Sequence, residues 1–415
     1  MSGTTRPRAK ARPVLVALVA LVALALAACQ ADDDGGLVAP PGSGSEPELE
    51  AAAGELPTDV RSVPDPLPGG EPGDLVALAE RSTPEVPADA RAWDVLHLSE
   101  GVDGRPTAVS GVVYAPGGMA PEEGRPVLSW GHGTVGLADD CAPSRAGVVV
   151  PGLAELLDAG YVVAATDYEG LGTPGPHPYL VGVSAGRSVL DAARAAGRID
   201  GAGAGDRVVV AGHSQGGHAA LFAGQLASRY APELDLLGVV GSAPAAELST
   251  LLRSAVPITP AFGLVASAVY AYGSVYDDLD LAEALTPAAL ERIDVVEQQC
   301  LQGVTEAFSD QPPAAWLVAN PVDLEAWERR IEENEPGSAA VSAPVLVVQG
   351  TNDFIVLASS TQTAIERMCA GGNTVDYREY PRTGHGDILV QSGPDVLAWV
   401  AERVAGVDAR SSCDA

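Results

Sequence analysis

Apolar and polar positions along this chain fall into two rhythms. Short runs of β-branched and other apolar residues at 92–98, 109–114, 127–130, 161–166, 208–211, 237–241, 345–348 and 375–380 have the length and residue types of strands. From 161–166 onward these runs alternate with segments of helical spacing, among them 185–196 and 359–369. Strands that alternate with helices imply an α/β architecture with a mostly parallel sheet covered on both faces. The alternation breaks between 248 and 343, where no strand of the regular series occurs, and this stretch is predicted to be a helical cap inserted into the sheet domain. Within it, residues 260–272 are apolar almost all round, which means burial or a lid face over the site, and Pro312-Pro313 divides the insert again.

The first ninety residues follow neither rhythm. Arg6, Arg8, Lys10 and Arg12 precede an apolar run over 14–28 and then Cys29. The run is too short to span a bilayer, so 1–28 reads as a signal peptide. Leu26-Ala27-Ala28-Cys29 looks like a bacterial lipobox, which makes Cys29 the predicted site of lipidation and the membrane the partner at that end. From 29 to 90 the chain is rich in Pro, Gly, Glu and Ala and has no sustained periodicity beyond a possible short helix at 74–81; it is predicted to be a disordered tether. The catalytic domain is then 91–415, with its cap at about 248–343.

Charge narrows the range of partners. The chain has 55 acidic residues against 24 basic ones, and beyond Cys29 it has no lysine. With nothing to neutralise phosphates, a nucleic-acid role is excluded. Once Cys29 is lipidated four cysteines remain, Cys141, Cys300, Cys369 and Cys413, and an even number in an oxidising compartment favours two disulfides among three possible pairings.

The chemistry centres on residues 207–218. A β-branched strand runs into Gly212-His213-Ser214-Gln215-Gly216 and then into a helical segment that ends near Tyr230, the sequence form of a nucleophile elbow. A second match, Gly182-Val183-Ser184-Ala185-Gly186, follows a proline-rich loop and has no strand leading in, so Ser184 reads as a helix start. Among the six histidines, His213 and His218 sit in the elbow and cannot easily swing back onto Ser214. His97 lies in a strand-like run, and His132 and His177 look like loop-shaping groups. His385, in the glycine-flanked loop Thr383-Gly384-His385-Gly386-Asp387, is the predicted base. Asp353, at the end of the run 344–349, is the predicted acid, with Asp376 and Asp387 as alternatives. Ser, then acid, then His is the order that α/β-hydrolase triads follow. Acyl transfer also needs two backbone N–H groups aimed at the oxyanion; one is predicted at Gln215 and the other at Thr134, with Gly133 as the fallback, in the loop Gly131-His132-Gly133-Thr134. No phosphate-loop or His-Glu-x-x-His pattern is present and the cysteines lack zinc-site spacing, so neither cofactor nor metal is implied.

From about Trp93 to the C-terminus the chain resembles the secretory lipase family of α/β-hydrolases, of the lipase A type. The resemblance rests on the elbow, on Asp167-Tyr168-Glu169-Gly170-Leu171-Gly172, on His177-Pro178-Tyr179-Leu180, on Gly186-Arg187-Ser188-Val189-Leu190-Asp191 and on Asp140-Cys141-Ala142-Pro143-Ser144. It implies an α/β-hydrolase fold, hydrolysis of lipid-like esters, and a triad of Ser214, Asp353 and His385. It also favours pairing Cys141 with Cys300 and Cys369 with Cys413. Fungal members often carry an acidic oxyanion loop, whereas this chain reads Gly-His-Gly-Thr. The expected function is therefore a lipid-anchored, extracytoplasmic carboxylic ester hydrolase. The alternatives are a peptidase or acyltransferase on the same scaffold, or a non-catalytic ligand-binding lipoprotein of the envelope.

Overall fold

A computed structural model describes residues 56–82, 86, 87 and 89–413, all within one unit spanning Glu55–Ala415. The leader at 1–28 and Cys29 lie outside the described residues. Nine strands are found among those described: β1 Leu75–Arg81, β2 Arg91–Glu100, β3 Pro106–Ala115, β4 Arg125–Gly131, β5 Val162–Thr166, β6 Ala204–His213, β7 Asp235–Ser242, β8 Val345–Gly350 and β9 Val375–Tyr380. They form a single sheet in the order β1-β2-β3-β5-β4-β6-β7-β8-β9. The first three strands pair antiparallel and β3 meets β5 antiparallel, while every pairing from β5 through β4 to β9 is parallel. The central strands are apolar without alternation because both of their faces are covered: β5 and β8 are buried along their whole length.

Helices pack on both faces. On one lie α1 Gly182–Gly197 and α2 Gln215–Tyr230, which contribute Val189, Ala193, Ala219 and Ala223 to a core shared with Val127, Val208 and Val345. The two helices touch backbone to backbone, for a Cβ added at Gly186 would stand 2.8 Å from the Ala223 nitrogen. On the opposite face Leu156, Leu157, Trp399 and Val400 cover Leu128, Val209 and Leu346.

Between β7 and β8 the chain is helical, as the break in the alternation predicts. The insert includes α3 Leu248–Ala255, α4 Phe262–Val275, α5 Leu301–Ala307 and α6 Glu325–Glu333, and it has a core of its own built from Phe262, Val265, Val269, Phe308, Trp316 and Trp327. The all-round apolar helix, α4, is the buried centre of that core. Of its two sequence readings, burial is the one realised.

The cap is tied down at both ends. The Asn334 side-chain oxygen accepts from the Gly182 N–H at 2.8 Å, and His218 Nε2 donates to the Asn334 carbonyl at 2.8 Å. Gln225 accepts from the Gly337 N–H at 2.7 Å, and Glu335 accepts from the Ser249 N–H at 2.8 Å. Arg367, on α7 Ala358–Ala370, donates to the carbonyls of Ala246 and Pro336 at 3.1 and 2.8 Å and pairs with Glu247. A third tie lies across the cap: Cys141 is bonded to Cys300 with their Cα atoms 5.5 Å apart, and the neighbouring Leu301 N–H donates to the Val135 carbonyl at 2.9 Å. Cys369 is joined to Cys413.

Two expectations need correction. The segment 74–81, read as a possible short helix, is the strand β1. Its Leu and Ala are good helix formers, but pairing along β2 with Val76 and Ala77 buried overrides that weak preference. The predicted tether also extends too far, because the chain is already held on the sheet well before residue 90. Val60, Val63 and Leu67 pack on the cluster of Val76, Leu96 and Leu98, and the Leu78 N–H donates to the Pro57 carbonyl at 2.8 Å.

Candidate active site

Strand β6 ends at His213 and α2 begins at Gln215, so the whole reversal falls on Ser214, whose φ of 56° and ψ of −115° lie outside the usual regions for a residue with a side chain. Such a turn is possible because its flanks are glycine: a Cβ at Gly212 would strike the Gly216 carbonyl, and one at Gly216 would strike the Gly131 carbonyl. The Ser214 N–H donates to the Ser242 carbonyl at 2.9 Å, which pins the strained residue to the end of β7.

Three candidates predicted far apart in sequence meet here. His385 Nε2 lies 2.9 Å from Ser214 Oγ, and its Nδ1 lies 2.7 Å from Asp353 Oδ2. A carboxylate only accepts, so Nδ1 carries the proton and Nε2 presents its lone pair to the serine hydroxyl. Asp353, buried at the end of β8, is itself held: its Oδ1 accepts from the N–H groups of Ile355 and Val356, each at 2.9 Å, and its Oδ2 accepts from Gln349 Nε2 at 3.2 Å. Of the alternative acids, Asp376 on β9 is engaged by Arg378, and Asp387 precedes the short helix Ile388–Gln391. The other elbow-like serine, Ser184, is the third residue of α1, and its hydroxyl donates to the Glu169 carboxylate.

The loop after β4 brings Gly133 against Ser214, for a Cβ built on it would lie 3.8 Å from Ser214 Cβ. Thr134, next in line, shares a hydrogen bond with the Tyr179 hydroxyl at 2.8 Å. Gln215 is the first residue of α2, a position whose N–H has no acceptor within its own helix. Its side chain reaches His177, Nε2 to Nε2, at 3.0 Å, and His177 Nδ1 donates to the Glu169 carbonyl at 2.8 Å. Tyr168, at a positive φ of 76°, stacks on His177 and donates its hydroxyl to the His132 carbonyl at 2.9 Å. A buried string of rings thus links the loop bearing Gly133 and Thr134 to Gln215.

Burial sets the charge state of these histidines. It holds His177 down at about 4 and His213 at about 4, the latter also lowered by the facing His385, and it lowers His132 as well. These rings are neutral packing and hydrogen-bonding groups. Sequence reading placed His132 and His177 as loop-shaping residues but did not foresee the contact of His177 with Gln215, nor a contact made by His213, which donates to the His385 carbonyl at 2.9 Å.

Large apolar side chains are exposed on the segments that follow Asp353 and His385. Phe354 and Ile355, directly after Asp353, and Val390, after the His385 loop, are exposed. The cap core leaves only a void of about 10 Å³ between Leu180, Leu252, Val269, Tyr272, Trp327 and Ile331. Among the described residues, no group of three or more His, Cys, Asp or Glu could hold a metal ion.

A family model described as secretory lipase matches residues 148–412. Among curated relatives, a protein of Mycobacterium tuberculosis named a probable inactive lipase is 26% identical over 348 residues, covering 77% of this chain and 75% of the relative. Lipase A of Arthroderma benhamiae is 25% identical over 351 residues, covering 78% and 73%. Candida antarctica lipase A superposes with a TM-score of 0.71 at 17% identity over 83% of this chain and 85% of that one. The rice cell wall degrading esterase LipA of Xanthomonas oryzae gives 0.67 at 20% identity, over 80% and 98%. At such identities these structural matches establish the α/β-hydrolase fold.

Proposed function

The chain belongs to the secretory lipase family, and from that premise we propose that it hydrolyses carboxylic esters of lipid-like acids through an acyl-enzyme on Ser214. The observation that carries this reading is the unbroken relay from Ser214 Oγ through His385 to Asp353, at 2.9 and 2.7 Å. His385 Nε2 takes the hydroxyl proton as Oγ bonds to the ester carbonyl carbon. Asp353 stabilises the imidazolium without itself taking a proton. The carbonyl oxygen, now an anion, is met by the Gln215 N–H and by an N–H of the 133–134 loop. Collapse expels the alcohol, which leaves with the proton from His385. Water, deprotonated by the same nitrogen, then attacks the acyl-serine, and the carboxylic acid departs with Ser214 and His385 restored.

Substrate class follows from the walls of the site. The exposed Phe354, Ile355 and Val390 support contact with an apolar phase. Secretion agrees with the family and with the leader at 1–28, and we assign Cys29 as the lipidated anchor. Cys29→Ser should move the protein out of the membrane fraction; unchanged partition with cleavage at another position would remove this assignment.

The name of the mycobacterial relative favours a second reading, a ligand-binding protein on a silent scaffold. One experiment separates the readings: turnover of p-nitrophenyl esters from acetate to palmitate beside aminoacyl anilides, for the wild type and Ser214→Ala. Ester turnover that vanishes in Ser214→Ala supports the hydrolase. Anilide turnover alone would make it a peptidase, and no turnover on any substrate would leave the binding protein.

A further inference from the structure

The residue before the nucleophile has no part in the proton relay, yet it touches both of the loops the relay depends on. His213 closes β6 in register with Ser242 of β7, so its ring stands on the rigid end of the central sheet. Its Nε2 lies 2.9 Å from the His385 carbonyl, and the two rings pack with centroids 4.7 Å apart. A carbonyl can only accept, which places the ring proton on Nε2 and leaves Nδ1 bare. That other edge faces Gly133, where an added Cβ would stand 3.1 Å from Nδ1.

We infer that His213 is a positioning residue: its Nε2–H holds the main chain of His385, and its ring sets the spacing between the base-bearing loop and the 133–134 loop. The inference rests on the assignment of Ser214 and His385 as nucleophile and base. Asp353 fixes the His385 ring at Nδ1, and the Asn352 N–H holds the loop two residues earlier, at the Thr383 carbonyl, at 3.0 Å. The His213 tether acts on the main chain of His385 itself, so ring and backbone are fixed at the same residue. The base must stay within hydrogen-bond reach of the hydroxyl it deprotonates, and a misplacement of an ångström there can lower the rate about 100-fold. Burial and the neighbouring His385 keep the ring of His213 neutral down to about pH 4, so the tautomer that donates to His385 persists through the working range.

The test separates the donor from the bulk of the ring. His213→Gln keeps an N–H that can reach the carbonyl; His213→Phe keeps the ring packed on His385 but donates nothing, and His213→Ala is a smaller replacement that cannot overpack should Phe disturb the fold. Phe and Ala should lower kcat by about 10- to 100-fold with KM within about threefold, while Gln should stay within about threefold of the wild type. Labelling of Ser214 by a fluorophosphonate, which needs no acyl pocket, should slow in parallel with kcat. A purely structural role would instead lower the melting temperature and leave kcat per titrated site unchanged. That result overturns the inference, as does Gln impaired as much as Phe and Ala, or a loss confined to KM. Ser214→Ala is assayed alongside: if it retains turnover, the nucleophile assignment fails and takes this role with it. If Ser214→Ala is dead while Phe and Ala match the wild type, only the role of His213 fails.

Discussion

The Gln215 side-chain nitrogen donates to His177 Nε2 at 3.0 Å in a buried contact that joins the first residue of the nucleophile helix to a loop on another part of the sheet. The direction of this bond follows from the far side of the ring. His177 Nδ1 faces the Glu169 carbonyl and must donate to it, so Nε2 is left as an acceptor and the Gln215 amide turns its NH2 inward. Gln215, the proposed oxyanion donor, is thus held from behind through its side chain. We expect His177→Ala to lower kcat about tenfold with little change in KM, less than the loss of a direct oxyanion donor. Steady-state kinetics on p-nitrophenyl butyrate test this, and a rise in KM at unchanged kcat would mean that His177 serves binding instead.

Acid should weaken the fold through its neutral histidines. His177, His213 and His218 are each pushed down to about 4, with burial the first cause in every case. In the unfolded chain a histidine titrates near its ordinary 6.5, so between pH 6.5 and about 4 the unfolded state binds more protons than the folded one. Stability contributed this way is full above pH 6.5, falls as the pH drops through that window and levels off below it, by up to about 1.4 kcal/mol per pH unit for each ring. His218→Gln, which keeps a donor for the Asn334 carbonyl, should flatten the dependence by about one proton in urea titrations run from pH 7 to 4. Equal slopes in the variant and the wild type would show that His218 titrates normally.

The hydrogen-bonded cluster of Ser214, His385 and Asp353 was legible because each member stands in a local pattern that announces a strand end: the glycine-flanked Ser214, Asp353 after β8 and His385 in its glycine loop. The parallel sheet could be read because strands buried on both faces are continuously apolar. What stayed hidden was long-range. His213 lies 172 residues from the carbonyl it holds, and nothing around Gly212 or Ser214 says which loop will cross that ring. Strand β1 failed for a related reason, since Leu and Ala there favour helix and only the partner β2 makes them extended. The pairing of Cys141 with Cys300 was open among three choices from the residues themselves, and family resemblance alone favoured it.

Asn334 is the knot between cap and core. Its carbonyl oxygen takes the His218 proton, its side-chain oxygen takes the Gly182 N–H, and its side-chain nitrogen donates to the Tyr276 hydroxyl at 2.7 Å and the Arg330 carbonyl at 2.8 Å. Asn334→Ala leaves the Gly182 N–H at the start of α1 without its acceptor in a buried place, which should cost about 1 to 3 kcal/mol. Urea unfolding followed by tryptophan fluorescence measures this. A loss below about 0.5 kcal/mol would mean that water or a shifted backbone replaces the contact.

The disulfide from Cys141 to Cys300 should matter more for catalysis than for folding. It closes a span of 159 residues, and in the chain-entropy model so long a loop is worth roughly 5 kcal/mol, a figure that native strain often reduces. The cap has other fastenings, at Asn334, Gln225, Glu335 and Arg367, and these hold its ends near the nucleophile helix and α7. The disulfide holds its far side, where Gly136 and Cys300 form a bridge and Leu301 bonds to Val135, directly after the 133–134 loop. Cutting it frees that side of the cap beside the 133–134 loop while the hydrogen bonds among Ser214, His385 and Asp353 remain. The double variant Cys141→Ser with Cys300→Ser should therefore lose more activity on palmitate than on acetate esters, because a long acyl chain depends on the cap for its placement and acetate does not. Single-turnover rates on both esters give the comparison. Equal losses would mean that the acyl chain does not lie against the cap.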